Sequence, residues 1–204
     1  MPRNPTAQDR SALIRLAQSL PAGSPQRKAI LAGLKTSLGV NIPGKHIFDR
    51  AIVSGSAMVS ERAVASGEAK VSGEAKVSGE AKVLDYAMVS GEAKVFGEAE
   101  VLGYARVSGE AKVFGRAMVY GNAKAVGEAW VFGGAKVAGN ALVGGEAQVL
   151  GEAKVFGDAR VGGGARVYGK ARIGGTAVIL GGEWDGSEGE ILSGKWKAPG
   201  VLAK

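Results

Sequence analysis

The side chains able to do chemistry in this 204-residue chain are few, and most follow a repeat. There is one histidine, His46, and no cysteine. A thiol nucleophile, a thiolate metal site and a disulfide framework are therefore excluded. His46 stands before the repeat and reads as a structural or solvated side chain. The carboxylates recur with the repeat, and none stands out as a specially buried acid/base pair. Glycine strings such as Val161-Gly162-Gly163-Gly164 keep the repeat's register and do not join a strand to a helix, so they indicate no phosphate loop. Flat threonine rows of the ice-binding kind are missing, since Thr176 is the single Thr of the repeat. The residues whose type and spacing do suggest a task are aromatic: Phe96, Phe114 and Phe132 lie 18 residues apart, followed at the same interval by Leu150 and Tyr168.

What positions them is a six-residue unit, typified by Ala75-Lys76-Val77-Ser78-Gly79-Glu80. From Ala51 to Gly182 it recurs 22 times with no insertion or deletion. Every unit begins with Ala, and the third position is Val or Ile in 20 units, with Ala65 and Ala125 the exceptions. The fifth position is Gly in 20, with Glu61 and Asp85 the exceptions. So short and strict a period marks a solenoid. Small and aliphatic residues at positions one and three flank what is mostly a Lys, Arg or Met at position two, an alternation that predicts a short strand with Ala and Val inward. Positions four to six then make a turn whose Gly tolerates positive φ and close backbone approach.

The sides of the solenoid are distinguishable. At position four, one column carries Phe96, Phe114, Phe132, Leu150 and Tyr168. A second carries Leu84, Leu102, Tyr120, Ala138 and Phe156, and a third Ser54, Ser72, Ser90, Ser108, Val126 and Gly144. A period of six alone would not sort residues this way, so the sequence predicts 18-residue coils of three strands. At position six, Glu74, Glu92, Glu110, Glu128 and Glu146 share a column, and Tyr86, Tyr104, Asn122 and Asn140 share another. Asn ladders and stacked aromatics stabilise parallel strands. Stacked carboxylates at a ~4.8 Å strand spacing repel by roughly 0.9 kcal/mol per neighbour in water. Lys76, Lys94 and Lys112, two residues after three of these glutamates, are expected to offset that. At the same spacing the units make a rod of roughly 35 Å, with a thin core that leans on its backbone ladders and stacks.

These units resemble the hexapeptide-repeat proteins, over about two-thirds of the chain. Val77 and Ala81 match that family's aliphatic residue and the small residue four places later. Ser78, Phe96 and Leu102 stand where the family often has the Gly that comes here one place later. The resemblance implies a left-handed parallel β-helix with three hexads per triangular coil. Many members are acyltransferases that use a His base near a projecting loop, with coenzyme A along the groove, and some bind a metal. Here His46 is the sole candidate base, no loop projects between residues 51 and 182, and a three-His zinc site cannot be built. No cofactor or metal is expected.

Residues 1–42 read as a helical hairpin. Thr6 can cap a helix from Ala7 to Ser19, and Ser24-Pro25 starts a second that Gly39 ends. Their apolar faces carry Leu13, Ile14 and Leu16, then Ile30, Leu31, Leu34 and Leu38. Two helices of about a dozen residues are marginal alone, so this face caps the first coil or docks on another chain. Residues 43–182 form the solenoid, and residues 183–204 a turn-rich cap and tail. In the latter, Gly189 to Trp196 reads as a short hairpin or irregular cap. Trp184 and Trp196 either cover the last coil or offer an aromatic contact to a partner.

The net charge of +7 sits mainly in residues 1–50, which alone carry +6. The hexads carry +2 and residues 183–204 carry −1. A basic stripe for nucleic acid would be spread differently. No run of 18 apolar residues exists and no secretory h-region follows Met1, so a cytoplasmic protein, or a particle assembled in the cytoplasm, is expected with no membrane partner. The expected function is a non-enzymatic structural rod: a scaffold, spacer or self-assembling unit of phage, virion or cytoskeletal type, attached through its N-terminal helices. Its expected partners are itself, as a trimer or polymer packed along the Phe96–Tyr168 column, or a larger protein assembly. The alternatives are an acyltransferase-like enzyme with a trimer-interface site using His46, and an adaptor for nucleic acid or an anionic surface through Arg10, Arg15, Arg27, Lys28 and Lys35.

Overall fold

The computed structural model describes residues 47–199 and 201–202. The helical hairpin expected over residues 1–42, with the candidate docking residues Leu13, Ile14, Leu16, Ile30, Leu31, Leu34 and Leu38, and His46 lie outside the described residues. The described chain is a parallel β-solenoid with three sides. Strands of two residues recur every six: β1 (Ile52–Val53), β2 (Met58–Val59), β3 (Val64–Ala65) and onward to β22 (Val178–Ile179). Every third strand pairs, so β1 opens a first side of ten strands, β2 a second of eight and β3 a third of eight. The register is 18 throughout the hexads, as in Ile52↔Lys70, Lys112↔Trp130 and Lys136↔Lys154. The 18-residue coil read from the columns is the coil observed.

The alternation at each strand explains the core. At position three Val or Ala is buried and at position two the side chain faces out, as at Lys76 and Val77. Ala at position one is buried as well, so the interior is a continuous stack of Ala and Val with no buried polar or charged residue among the described ones. The ladder does not stop at the corners. In the unit around Ala75, the N–H groups of Lys76, Ser78 and Glu80 donate to Ala93, Val95 and Gly97 of the next coil at 2.9, 3.0 and 2.7 Å. The N–H groups at positions four and six of the turn are therefore paired with the next coil without side-chain help.

At the turns Gly91 stands at φ +70°, and a Cβ there would meet the Gly109 oxygen and nitrogen at 2.9 and 3.0 Å. Two effects thus demand glycine, left-handed backbone and contact between coils. The non-glycine residues at this position share its conformation: Asp49, Glu61 and Asp85 have φ of 58°, 60° and 62°. Each returns something for the strain. Their carboxylates accept the N–H of Gly67, Gly79 and Gly103, one coil on, at 3.2, 2.6 and 3.0 Å. We expect Gly91→Ala to lower stability by about 2 kcal/mol, and Gly91→Asp to recover about 1 kcal/mol of that through the same inter-coil hydrogen bond. Urea midpoints of the two variants and the wild type check the order.

The solenoid extends beyond the hexads at both ends. Ile47 bridges Ala65 in parallel, and Phe48 and Arg50 donate to Ala65 and Gly67 at 2.8 and 2.9 Å. After Gly182, strands β23 (Glu183–Trp184), β24 (Glu190–Ile191) and β25 (Lys195–Ala198) continue the second, third and first sides in parallel. The offsets become 17, 18 and 17, as Arg166↔Glu183, Arg172↔Glu190 and Val178↔Lys195 show. The period breaks at Gly182 while the ladder goes on. The antiparallel hairpin lies later than the residues that suggested one, between β25 and β26 (Val201–Leu202), with Trp196 opposite Leu202.

Candidate functional site

The column at the corner after the second side is a stack of rings. Phe96, Phe114 and Phe132 lie with centroids 4.8 Å apart and planes within 2° and 3° of parallel. Each is half-buried, as are Leu150 and Tyr168 further along, and none belongs to the Ala/Val interior. The stack follows from the fold: one coil advances by one strand spacing, and that spacing lies within the range for offset aromatic pairs. Trp130, on the adjoining flat side, meets Phe114 and Phe132 edge-on at 6.2 and 6.4 Å and remains 37% exposed. The Lys112 ammonium lies 4.4 Å from the Trp130 ring centre, within reach for a cation–π contact. The outer face of the second side therefore reads Lys76, Lys94, Lys112 and Trp130, bordered by the phenylalanines.

Another column combines two kinds of ladder. Tyr86 and Tyr104 stack at 4.9 Å with planes 6° apart. The series continues as hydrogen bonds, Asn122 donating to Asn140 at 3.1 Å and Asn140 to Asp158 at 2.8 Å. Charge is balanced in the same direction. Among the described residues six ion pairs occur, all between neighbouring coils: Arg50–Glu68, Arg62–Glu80, Lys82–Glu100, Arg116–Glu98, Arg166–Glu183 and Arg172–Glu190. Glu100 accepts a hydrogen bond from Lys82 at 2.9 Å, and this bond with its charge raises the lysine's pKa above the ordinary value. None of the six involves Glu74, Glu92, Glu110, Glu128 or Glu146. The offset expected from Lys76, Lys94 and Lys112 is not made by contact, because partners one coil apart lie parallel and close whereas a residue two places on occupies the next flat side.

At the far end, Trp184 takes the inward position opposite Val167 and is buried. Its indole N–H donates to the Gly181 carbonyl at 2.8 Å. Trp196, half-buried, stands opposite Ile179 and donates to Ser193 at 2.9 Å. The two rings meet edge-to-face at 6.1 Å. Between them Asp185 closes a turn by accepting the Ser187 N–H at 2.8 Å, and bonds from Ser187 hold its carboxyl below the ordinary range.

Two shallow grooves stand out among the described residues. One of about 340 Å³ is lined by Arg62, Val64, Glu80, Lys82, Glu98 and Glu100, whose charges pair with one another or with Arg116. The other, of about 140 Å³, lies on the third side around Ala138. Sequence reasoning missed the second groove, although its signal was present as one small residue interrupting a bulky column. It also missed the carboxylate-for-glycine exchange, whose signal was the acidic residues standing in for Gly at position five. Among the described residues no three His, Cys, Asp or Glu converge as metal ligands, and no helix is long and apolar enough to cross a membrane. No family model, curated protein or solved structure matches the chain.

Proposed function

We propose that this protein is a non-enzymatic structural rod of the hexapeptide-repeat type, left-handed, serving as a scaffold or spacer that packs side by side with copies of itself. Residues 1–42 attach it to its assembly. The observation that carries this reading is the unbroken 18-residue register from β1 to β22, which turns each position of the coil into a straight outer column. Such a body suits repetition along a surface: identical rods can meet in register, column on column, with matching strand spacing. The second side has the chemistry for this. It offers a stiff aromatic strip, already ordered by its own stacking, beside the cationic row Lys76, Lys94 and Lys112, and little entropy remains to be lost on contact. The Glu74–Glu146 column on its other border supplies the opposite charge at the same repeat.

Light scattering on the full chain tests this. The wild type should show a multiple of the chain mass. The double variant Phe114→Ser, Trp130→Ser should weaken association by about tenfold or more, as loss of aromatic anchors does, while Leu142→Ser on the first side leaves it unchanged. Equal masses for all three would remove the second side from the proposal.

A further inference from the structure

The corner column after the third side reads Leu84, Leu102, Tyr120, Ala138, Phe156 and Gly174, one residue per coil. The neighbouring corner shows what rings do at this position, where Phe96, Phe114 and Phe132 stack at 4.8 Å. At Ala138 one ring is missing from such a series. The backbones of Tyr120 and Phe156 then stand two coils apart, roughly 9.6 Å at two strand spacings. The space between them over Ala138 is the groove of about 140 Å³, lined also by Lys136, Lys154 and Arg172. A groove of that volume has room for one benzene-sized ring. A ring seated over Ala138 would have the aromatic rings of Tyr120 and Phe156 among its walls.

The far wall is braced. Phe156 leans over Gly174, where any Cβ would strike its ring. The Arg172 guanidinium lies 5.1 Å from the ring centre and is itself held by Glu190 at 2.7 Å. Both contacts come from the coil beyond Phe156, on the side away from Ala138. The mouth is cationic. Lys136 and Lys154 are register partners, both exposed, and neither belongs to any of the six ion pairs among the described residues. Two adjacent ammonium groups repel each other, and an anion placed between them relieves that.

We propose that this slot binds a small planar aromatic molecule carrying a negative charge. The ring inserts between Tyr120 and Phe156 over Ala138, and the anionic group sits on Lys136 and Lys154. The site is separate from the second side and does not depend on lateral assembly.

Indole-3-acetate and its neutral counterpart indole-3-acetamide, titrated into the full chain by calorimetry or ligand-observed NMR, test it. Indole-3-acetate should bind saturably with Kd of about 1 mM, and the amide about tenfold more weakly. The double variant Lys136→Gln, Lys154→Gln alters only exposed side chains and should bring the two ligands to the same weak affinity. Ala138→Phe should supply the missing ring, abolish binding and leave the thermal midpoint at or above that of the wild type. Failure of indole-3-acetate to saturate, acid and amide binding equally to the wild type, or undiminished binding to Ala138→Phe would each overturn the proposal.

Discussion

Ala111→Asp should destabilise the rod by about 3–5 kcal/mol, since it places an unpaired charge in an interior that has no polar partner to offer. Ala111 is fully buried within the Ala/Val stack, and its carbonyl already accepts the Lys94 N–H at 2.9 Å. The carboxylate must either ionise without a counter-charge or remain protonated at the cost of its usual solvation. Each coil touches only its neighbours, so the damage should divide the rod at its middle and abolish a single cooperative transition. Lys94→Asp is the control. It adds the same side chain to an exposed site between Lys76 and Lys112, where a shift of no more than about 0.5 kcal/mol is expected. Thermal and urea unfolding followed by circular dichroism separates the two. Similar midpoints for both variants would mean that the interior is not the closed stack described.

The second large effect belongs to the end of the rod. Trp184→Ala removes the bulkiest buried side chain among the described residues, along with its hydrogen bond to Gly181 and its edge-to-face contact with Trp196. Truncations of this size cost about 3–5 kcal/mol. Because the loss falls on the last coil, it should appear as local opening of residues from β23 onward rather than as global unfolding. Hydrogen exchange would show amides near Trp184 and Ile191 losing protection while those near Val113 keep theirs. Trp184→Phe should retain most of the protection. Uniform loss along the chain would contradict nearest-neighbour stability.

Much of this architecture was legible because a six-residue code leaves little freedom. Ala, a variable residue and Val can bury two of three side chains only as a strand, and the sorting of Phe96, Phe114 and Phe132 against the serine column required three strands per coil. The ends were less legible for physical reasons. Around Ile47 the frame continues, but Lys45 replaces the opening Ala and Asp49 replaces the Gly, so the unit hides although Asp49 adopts the same left-handed backbone. Beyond Gly182 the turns change length while short strands keep pairing with the coil before, so a ladder survives where a period does not. Trp184 and Trp196 are the visible sign of it, since each fills an inward place held by Val or Ile one coil earlier. The aromatic column was legible as spacing but not as direction. Position four lies at the corner, outside the Ala/Val interior, and two neighbouring coils cover a ring there on both faces while leaving its rim in solvent.

The slot at Ala138 illustrates a related point. A perfect repeat would have no such place, and a departure from it is visible only after columns have been assigned to sides. The same holds for Glu61 and Asp85, which look like errors in a glycine position and prove to be hydrogen-bonded alternatives to it.

The most direct measurement of the central claim is light scattering combined with negative-stain microscopy on the full chain and on a chain beginning at Pro43. A structural rod attached through its N-terminal segment should give ordered assemblies of side-by-side rods with the full chain, and diminished or altered assemblies without residues 1–42. A monodisperse monomer in both preparations, with no ordered assembly, would contradict the scaffold reading.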